Sequence, residues 1–160
     1  MADFDQAAEY VLVNEGKLSV DPNDPGGTTN FGIAQRWHPG VDVRSLTRDQ
    51  AKQIYRNEYW RFDGVTSQRV ANRLLDMSVN TSLARAVRIL QRALGGLVAG
   101  PVVADGAFGN RTLEFTNAVE ETKLIDELKA RMAYSHCQDA IANPAQQSEL
   151  LGWLRRDVRG

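Results

Sequence analysis

Asn14-Glu15-Gly16-Lys17-Leu18-Ser19-Val20-Asp21-Pro22-Asn23-Asp24-Pro25-Gly26-Gly27-Thr28-Thr29-Asn30-Phe31-Gly32-Ile33-Ala34-Gln35 is the stretch on which the reading of this chain turns. Before it, Phe4, Ala7, Ala8, Val11 and Leu12 repeat at helical spacing, so residues 3 to 14 read as an amphipathic helix with Asp3 as N-cap. Glu15 then falls at the helix's C-terminal end. There the negative pole of the macrodipole and nearby apolar groups favour a protonated carboxyl. A carboxylic acid kept neutral can protonate the oxygen leaving a sugar ring, so Glu15 has the placement of a general acid. Pro22, Pro25, Gly26 and Gly27 then forbid a helix, and residues 16 to 32 read as loop, turn or short hairpin.

That loop brings Asp21, Asp24, Thr28 and Thr29 back towards the acid. Paired carboxylates are the usual apparatus of glycoside hydrolysis, one as acid and the other as base, nucleophile or charge stabiliser. The same aspartates also suit Asx-turns around the two prolines, and the residue types alone leave both readings open. Calcium is disfavoured: counted from Asp21, the twelfth position of an EF-hand loop would need a bidentate Glu, and here it is Gly32. His38, His136 and the single Cys137 are too few and too scattered for zinc. No metal and no cofactor are expected.

Beyond the loop the pattern is helical. Thr47 to Gln50 forms a capping box opening a helix that buries Ala51, Ile54, Tyr55 and Tyr59. Residues 67 to 80 and 82 to 95 give two more helices, the second stopped by Gly95-Gly96. After a Gly/Pro-rich link to Gly106, helices are expected at 109 to 120, 121 to 141 and 146 to 157, the last docked through Trp153 with Leu150, Leu151 and Leu154 around it. Asp105, Gly106 and Gly109 suit a tight turn. The fold class is mainly α, two-lobed, with a short loop or β-hairpin after the first helix.

At 160 residues with a net charge of -1, the chain does not have the charge of a general nucleic-acid binder. Its basic residues concentrate at Arg61, Arg69, Arg73, Arg85, Arg88 and Arg92, read as a basic helical surface. One cysteine excludes an internal disulfide and suits synthesis in a reducing cytoplasm. Met1-Ala2-Asp3 has no basic n-region, so no signal peptide is readable, and no apolar run is long enough for a membrane span. A monomer is expected, made in a cytosol; if its target lies outside, something else must deliver it there.

The block from Asn14-Glu15-Gly16 through Asp21-Pro22-Asn23-Asp24-Pro25-Gly26-Gly27-Thr28-Thr29-Asn30-Phe31-Gly32-Ile33 resembles the signature of glycoside hydrolase family 108, the N-acetylmuramidases of phage endolysins and bacterial cell-wall enzymes. Ile54-Tyr55-Arg56-Asn57-Glu58-Tyr59-Trp60-Arg61 and Leu75-Asp76-Met77-Ser78-Val79-Asn80 extend the resemblance. Ala86 to Gly95 with residues 104 to 112 is similar to the peptidoglycan-binding module that follows it. The resemblance implies a lysozyme-like fold with residues 1–90 as catalytic lobe and 91–160 as the peptidoglycan-binding lobe. It implies cleavage of the β-1,4 bond between N-acetylmuramic acid and N-acetylglucosamine, with Glu15 as acid. Asp24 and Thr29 stand roughly where related phage lysozymes carry the groups that position or activate water, and Asp21 competes with Asp24. Lys17, where the family commonly has Gly, would tend to lower the pKa of Glu15. Tyr59 and Trp60 are the expected sugar-stacking aromatics, with Trp37 behind them. Asn80 and Gln35 complete the substrate-binding candidates. The competing readings are a non-catalytic peptidoglycan-binding module and a lytic transglycosylase, which needs an acid but no water.

Overall fold

The computed structural model describes residues 1–14, 18–20, 27–144 and 147–158, which form seven α-helices and one small antiparallel sheet. The architecture is mainly α and lysozyme-like. Two compact units divide within one helix, Met1–Ala86 and Val87–Gly160.

In the first unit, helix α1 (Phe4–Asn14) and helix α3 (Gln68–Asn80) start from a shared clamp. Asp3 Oδ1 accepts the Gln6 amide at 2.9 Å, capping α1, and Ser67 caps α3 by accepting from Val70 N at 3.1 Å. The Gln68 side chain holds Asp3 by both its backbone groups: its Oε1 accepts from Asp3 N at 2.7 Å, and its Nε2 donates to Asp3 O at 2.9 Å. From that clamp the helices pack along their length through buried Ala7, Ala8, Val11 and Leu12 of α1. Their C-terminal residues, Asn14 and Asn80, therefore share one end of the pair, about 15 Å along α1 from Phe4 at the normal helical rise.

Helix α3 is buried from Arg73 through Val79, on every side rather than along one stripe. Arg73 is thus removed from the basic surface expected of it. Its guanidinium instead lies 3.9 Å from the Asp76 carboxylate, both side chains nearly fully buried. The helical spacing of a charged residue does not reveal that a second layer will cover it.

Helix α2 (Arg48–Ile54) opens with the expected capping box, Gln50 N donating to Thr47 Oγ1 at 3.3 Å and Thr47 N to Gln50 Oε1 at 2.9 Å. It runs on as a π-helical turn, Tyr55–Tyr59. Ala51 and Tyr55 are buried as expected, while Ile54 and Tyr59 are only half-buried. Strands β1 (Ser19–Val20), β2 (Thr28–Asn30) and β3 (Ile33–Ala34) form a three-stranded antiparallel sheet in sequence order, one strand more than a hairpin. Phe31 and Gly32 turn the chain between β2 and β3 with φ of 51° and 70°, the left-handed pair that suits a two-residue hairpin. Phe31 is unusual in that conformation, and the Tyr55 hydroxyl holds it by donating to Phe31 O at 2.5 Å.

The second unit holds the larger part of α4 (Leu83–Gly95) and helices α5 (Asn110–Ala118), α6 (Glu121–Ala142) and α7 (Gln147–Asp157). Buried Gln91 organises the loop before α5. Its Nε2 donates to Asp105 Oδ1 at 2.7 Å and Ala107 O at 3.0 Å, and its Oε1 accepts from Gly106 N at 2.9 Å. Gly106, at φ 86°, supplies the left-handed residue of that turn. Hydrogen bonds from the Ala107 amide and Gln91 hold the Asp105 carboxyl below its ordinary pKa. Helix α7 docks on α6 through a buried pair, His136 Nδ1 to Asp157 Oδ2 at 2.8 Å, with the Trp153 ring 5.0 Å from the imidazole. Trp153 is an anchor as expected, but Leu151 is 57% exposed and takes no part in the docking.

Two expectations follow. Arg73→Met and Asp76→Leu should each cost about 3 kcal/mol in urea denaturation, because each takes the opposite charge of the pair away from a buried one. The double variant should cost less than the sum of the two, the non-additivity of a contacting pair. For Asp105, a pKa depressed by folding means that its contribution is present above the unfolded carboxyl range, near pH 4, and fades as pH falls through the folded value. Protection factors of the amides in the loop 105–109, corrected for the intrinsic exchange rate at each pH, should therefore fall on acidification in the parent, and Asp105→Asn should remove that dependence.

Candidate active site

The carboxylates singled out in the sequence, Glu15, Asp21 and Asp24, lie outside the described residues, as does Lys17. The frame around them is described. Helix α1 ends at Asn14, the residue before Glu15, and the sheet carries Thr29 on its middle strand.

Thr29 pairs with Ser19 on one side and Ala34 on the other. Its neighbour Asn30 points into the core, where its amide donates to Val43 O at 3.1 Å. Strand alternation therefore turns the half-exposed Thr29 side chain to the opposite, open face. Asn80 sits at the C-terminal end of α3, the end of the α1/α3 pair at which α1 also finishes. Its Nδ2 donates to Asp76 O at 2.7 Å and lies 3.4 Å from Asp76 Oδ1. Among the described residues, its amide oxygen is left as a free acceptor.

Gln35 does not offer itself to a ligand. Its Nε2 donates to His38 O at 3.0 Å and Val41 O at 2.7 Å, and its Oε1 accepts from Val43 N at 3.2 Å. With both donors and the acceptor engaged, the side chain is an internal brace for the segment 35–43.

The aromatic candidates change places. Trp60 is only 2% exposed, packed edge-on against Phe4 at 5.4 Å and Phe62 at 5.6 Å, with its indole N–H donating to Asp63 Oδ1 at 2.7 Å. Phe4 begins α1, so Trp60 lies at the end of that helix away from Asn14. It has no free face for a sugar and belongs to the core. Tyr59 is half-buried, its hydroxyl pushed up in pKa by burial and then by the adjacent Glu58 charge. Trp37 is 71% exposed, with the Arg36 guanidinium 5.3 Å from its ring centroid.

His38 gains a role that the sequence did not disclose. Buried at the turn after β3, it donates from Nδ1 to Ala34 O at 3.1 Å and places Nε2 3.0 Å from Glu58 Oε2. It thereby ties the strand opposite Thr29 to the π-helical turn. Isolated in sequence, it carries no periodicity signal, and its partner lies twenty residues away. Among the described residues, no cluster of three or more His, Cys, Asp or Glu could hold a metal, and no helix is long and apolar enough to cross a membrane.

Comparison with known proteins agrees with this framework. The model of the family described as Glycosyl hydrolase 108 matches residues 8–81, and that described as Predicted Peptidoglycan domain matches residues 85–158. Among solved structures, that of SagA from Brucella abortus is similar, with a TM-score of 0.71 and 30% sequence identity over 97% of this chain and 93% of that one. No curated protein was found to match. The chain belongs to the glycosyl hydrolase 108 family, as a peptidoglycan-degrading glycosidase whose hydrolase domain is followed by a peptidoglycan-binding domain.

Proposed function

We propose that the protein is an N-acetylmuramidase, hydrolysing the β-1,4 bond between N-acetylmuramic acid and N-acetylglucosamine, with Glu15 as general acid. What supports this reading is the place of Glu15 in the sequence, one residue after Asn14, where the described helix α1 stops, and inside the segment matched by the hydrolase family. A helix C-terminus disfavours an ionised carboxylate, which suits an acid that must hold its proton until the leaving oxygen needs it. In this scheme Asp24 orients or activates the attacking water, with Thr29 on the open face of the sheet as its helper and Asp21 as the alternative partner. Asn80 accepts an N-acetyl N–H and Tyr59 borders the sugar path. The second domain keeps the enzyme on its polymer and so raises the local concentration of bonds to cut. The protein works as a monomer, without a metal or cofactor. It is made in the cytoplasm of a bacterial host and acts on the wall after release during phage lysis.

Isolated Gram-negative sacculi, followed by turbidity, with the released ends reduced and weighed by mass spectrometry, test the scheme. The parent should clear them and yield reducing-end muramic acid, while Glu15→Gln should lose roughly a thousandfold in rate with sedimentation onto sacculi intact. Asp24→Asn should lose more activity than Asp21→Asn. Anhydro-muramic ends would instead identify a transglycosylase, and binding without any clearing would identify a carrier of the fold that does not cut.

A further inference from the structure

The segment between β3 and the 3₁₀ turn at Val43–Ser45 is over-determined. Gln35 holds it by three hydrogen bonds, the buried Asn30 amide reaches Val43 O, and the His38 ring spans from Ala34 O to Glu58. The Trp37 backbone is fixed too, its N–H donating to Ala34 O at 3.1 Å. None of these bonds uses the Trp37 side chain. A large aromatic surface is therefore held out into solvent on a rigid support that would stand without it.

The position of that surface gives it a use. Ala34 is the cross-strand partner of Thr29, and Trp37 follows it by one hydrogen-bonded turn. The two short steps place the Trp37 and Thr29 backbones within about 12 Å of each other, inside the reach of a disaccharide. Resting on the hydrolase reading above, we propose that Trp37 is a stacking platform for an N-acetylhexosamine ring of the glycan strand, next to the sugars between which the bond is cut. An indole face offers flat apolar area matched to the C–H face of a pyranose, while the sugar's hydroxyls stay in water. The rigid support means that little side-chain or loop freedom is lost when the ring binds. The Arg36 guanidinium lies over the indole, 5.3 Å from its centroid.

Trp37→Ala and Trp37→Phe, compared with the parent on sacculi of varied concentration, decide the matter. Trp37→Ala should raise the apparent KM about tenfold and leave kcat within about twofold, with an unchanged melting temperature; Trp37→Phe should stay within about threefold of the parent. A soluble N-acetylglucosamine hexamer should shift the parent's tryptophan emission to the blue, and the Phe variant should lack that shift. An unchanged KM with unchanged hexamer binding, a loss confined to kcat, or a fall in melting temperature would each overturn the platform. Should the parent fail to cut sacculi, the hydrolase reading falls by itself. Co-sedimentation and the hexamer titration would then still decide whether Trp37 holds sugar.

Discussion

The packing of α1 on α3 is the constraint from which the first unit follows. Helix α3 is covered on all sides from Arg73 through Val79, so that part of its course cannot shift without opening the core. The Gln68 clamp on Asp3 fixes where α1 begins against it, and two alanines let the helices approach closely. With its start and face fixed, α1 carries Asn14 to the same end of the pair as Asn80. Asn80, at the end of α3, therefore inherits its position from a core rather than from a loop, the kind of support that site geometry requires.

Much of this was legible in the sequence. Helical periodicity, the Thr47 to Gln50 capping box, the Asp3 cap and the glycine stop after α4 all act within a few residues, and each appears in the structure close to its expected place. What escaped depends on contacts distant in sequence. Arg73 looked like a surface charge because nothing local says that both flanks of α3 are covered. Trp60 went to the core for the same reason: an aromatic next to a helix end can turn inward or outward, and Phe4 decided the matter from fifty-six residues away. Gln35 has the chemistry of a ligand-binding amide, and only the return of the chain at Val41 and Val43 shows that its groups are already engaged.

The second unit follows a similar economy of buried polar groups. Gln91 satisfies a loop that has no regular structure of its own, and His136 with Asp157 joins α7 to α6. A buried amide or imidazole costs much unless all its partners are present, so each such group makes its surroundings nearly all-or-none. A peptidoglycan-binding surface built on this frame would be presented in one conformation instead of many, which favours affinity through preorganisation.

The turn at Phe31 carries a consequence for how this hairpin can vary by descent. A bulky residue in the left-handed region survives there beside a phenol that holds its carbonyl, so positions 31 and 55 constrain one another. Lineages in which residue 31 drifts to Asn or Gly release residue 55 from needing a hydroxyl, whereas loss of the hydroxyl first exposes the strain of Phe31. Order of substitution, as much as identity, therefore determines which homologous hairpins are reachable from this one.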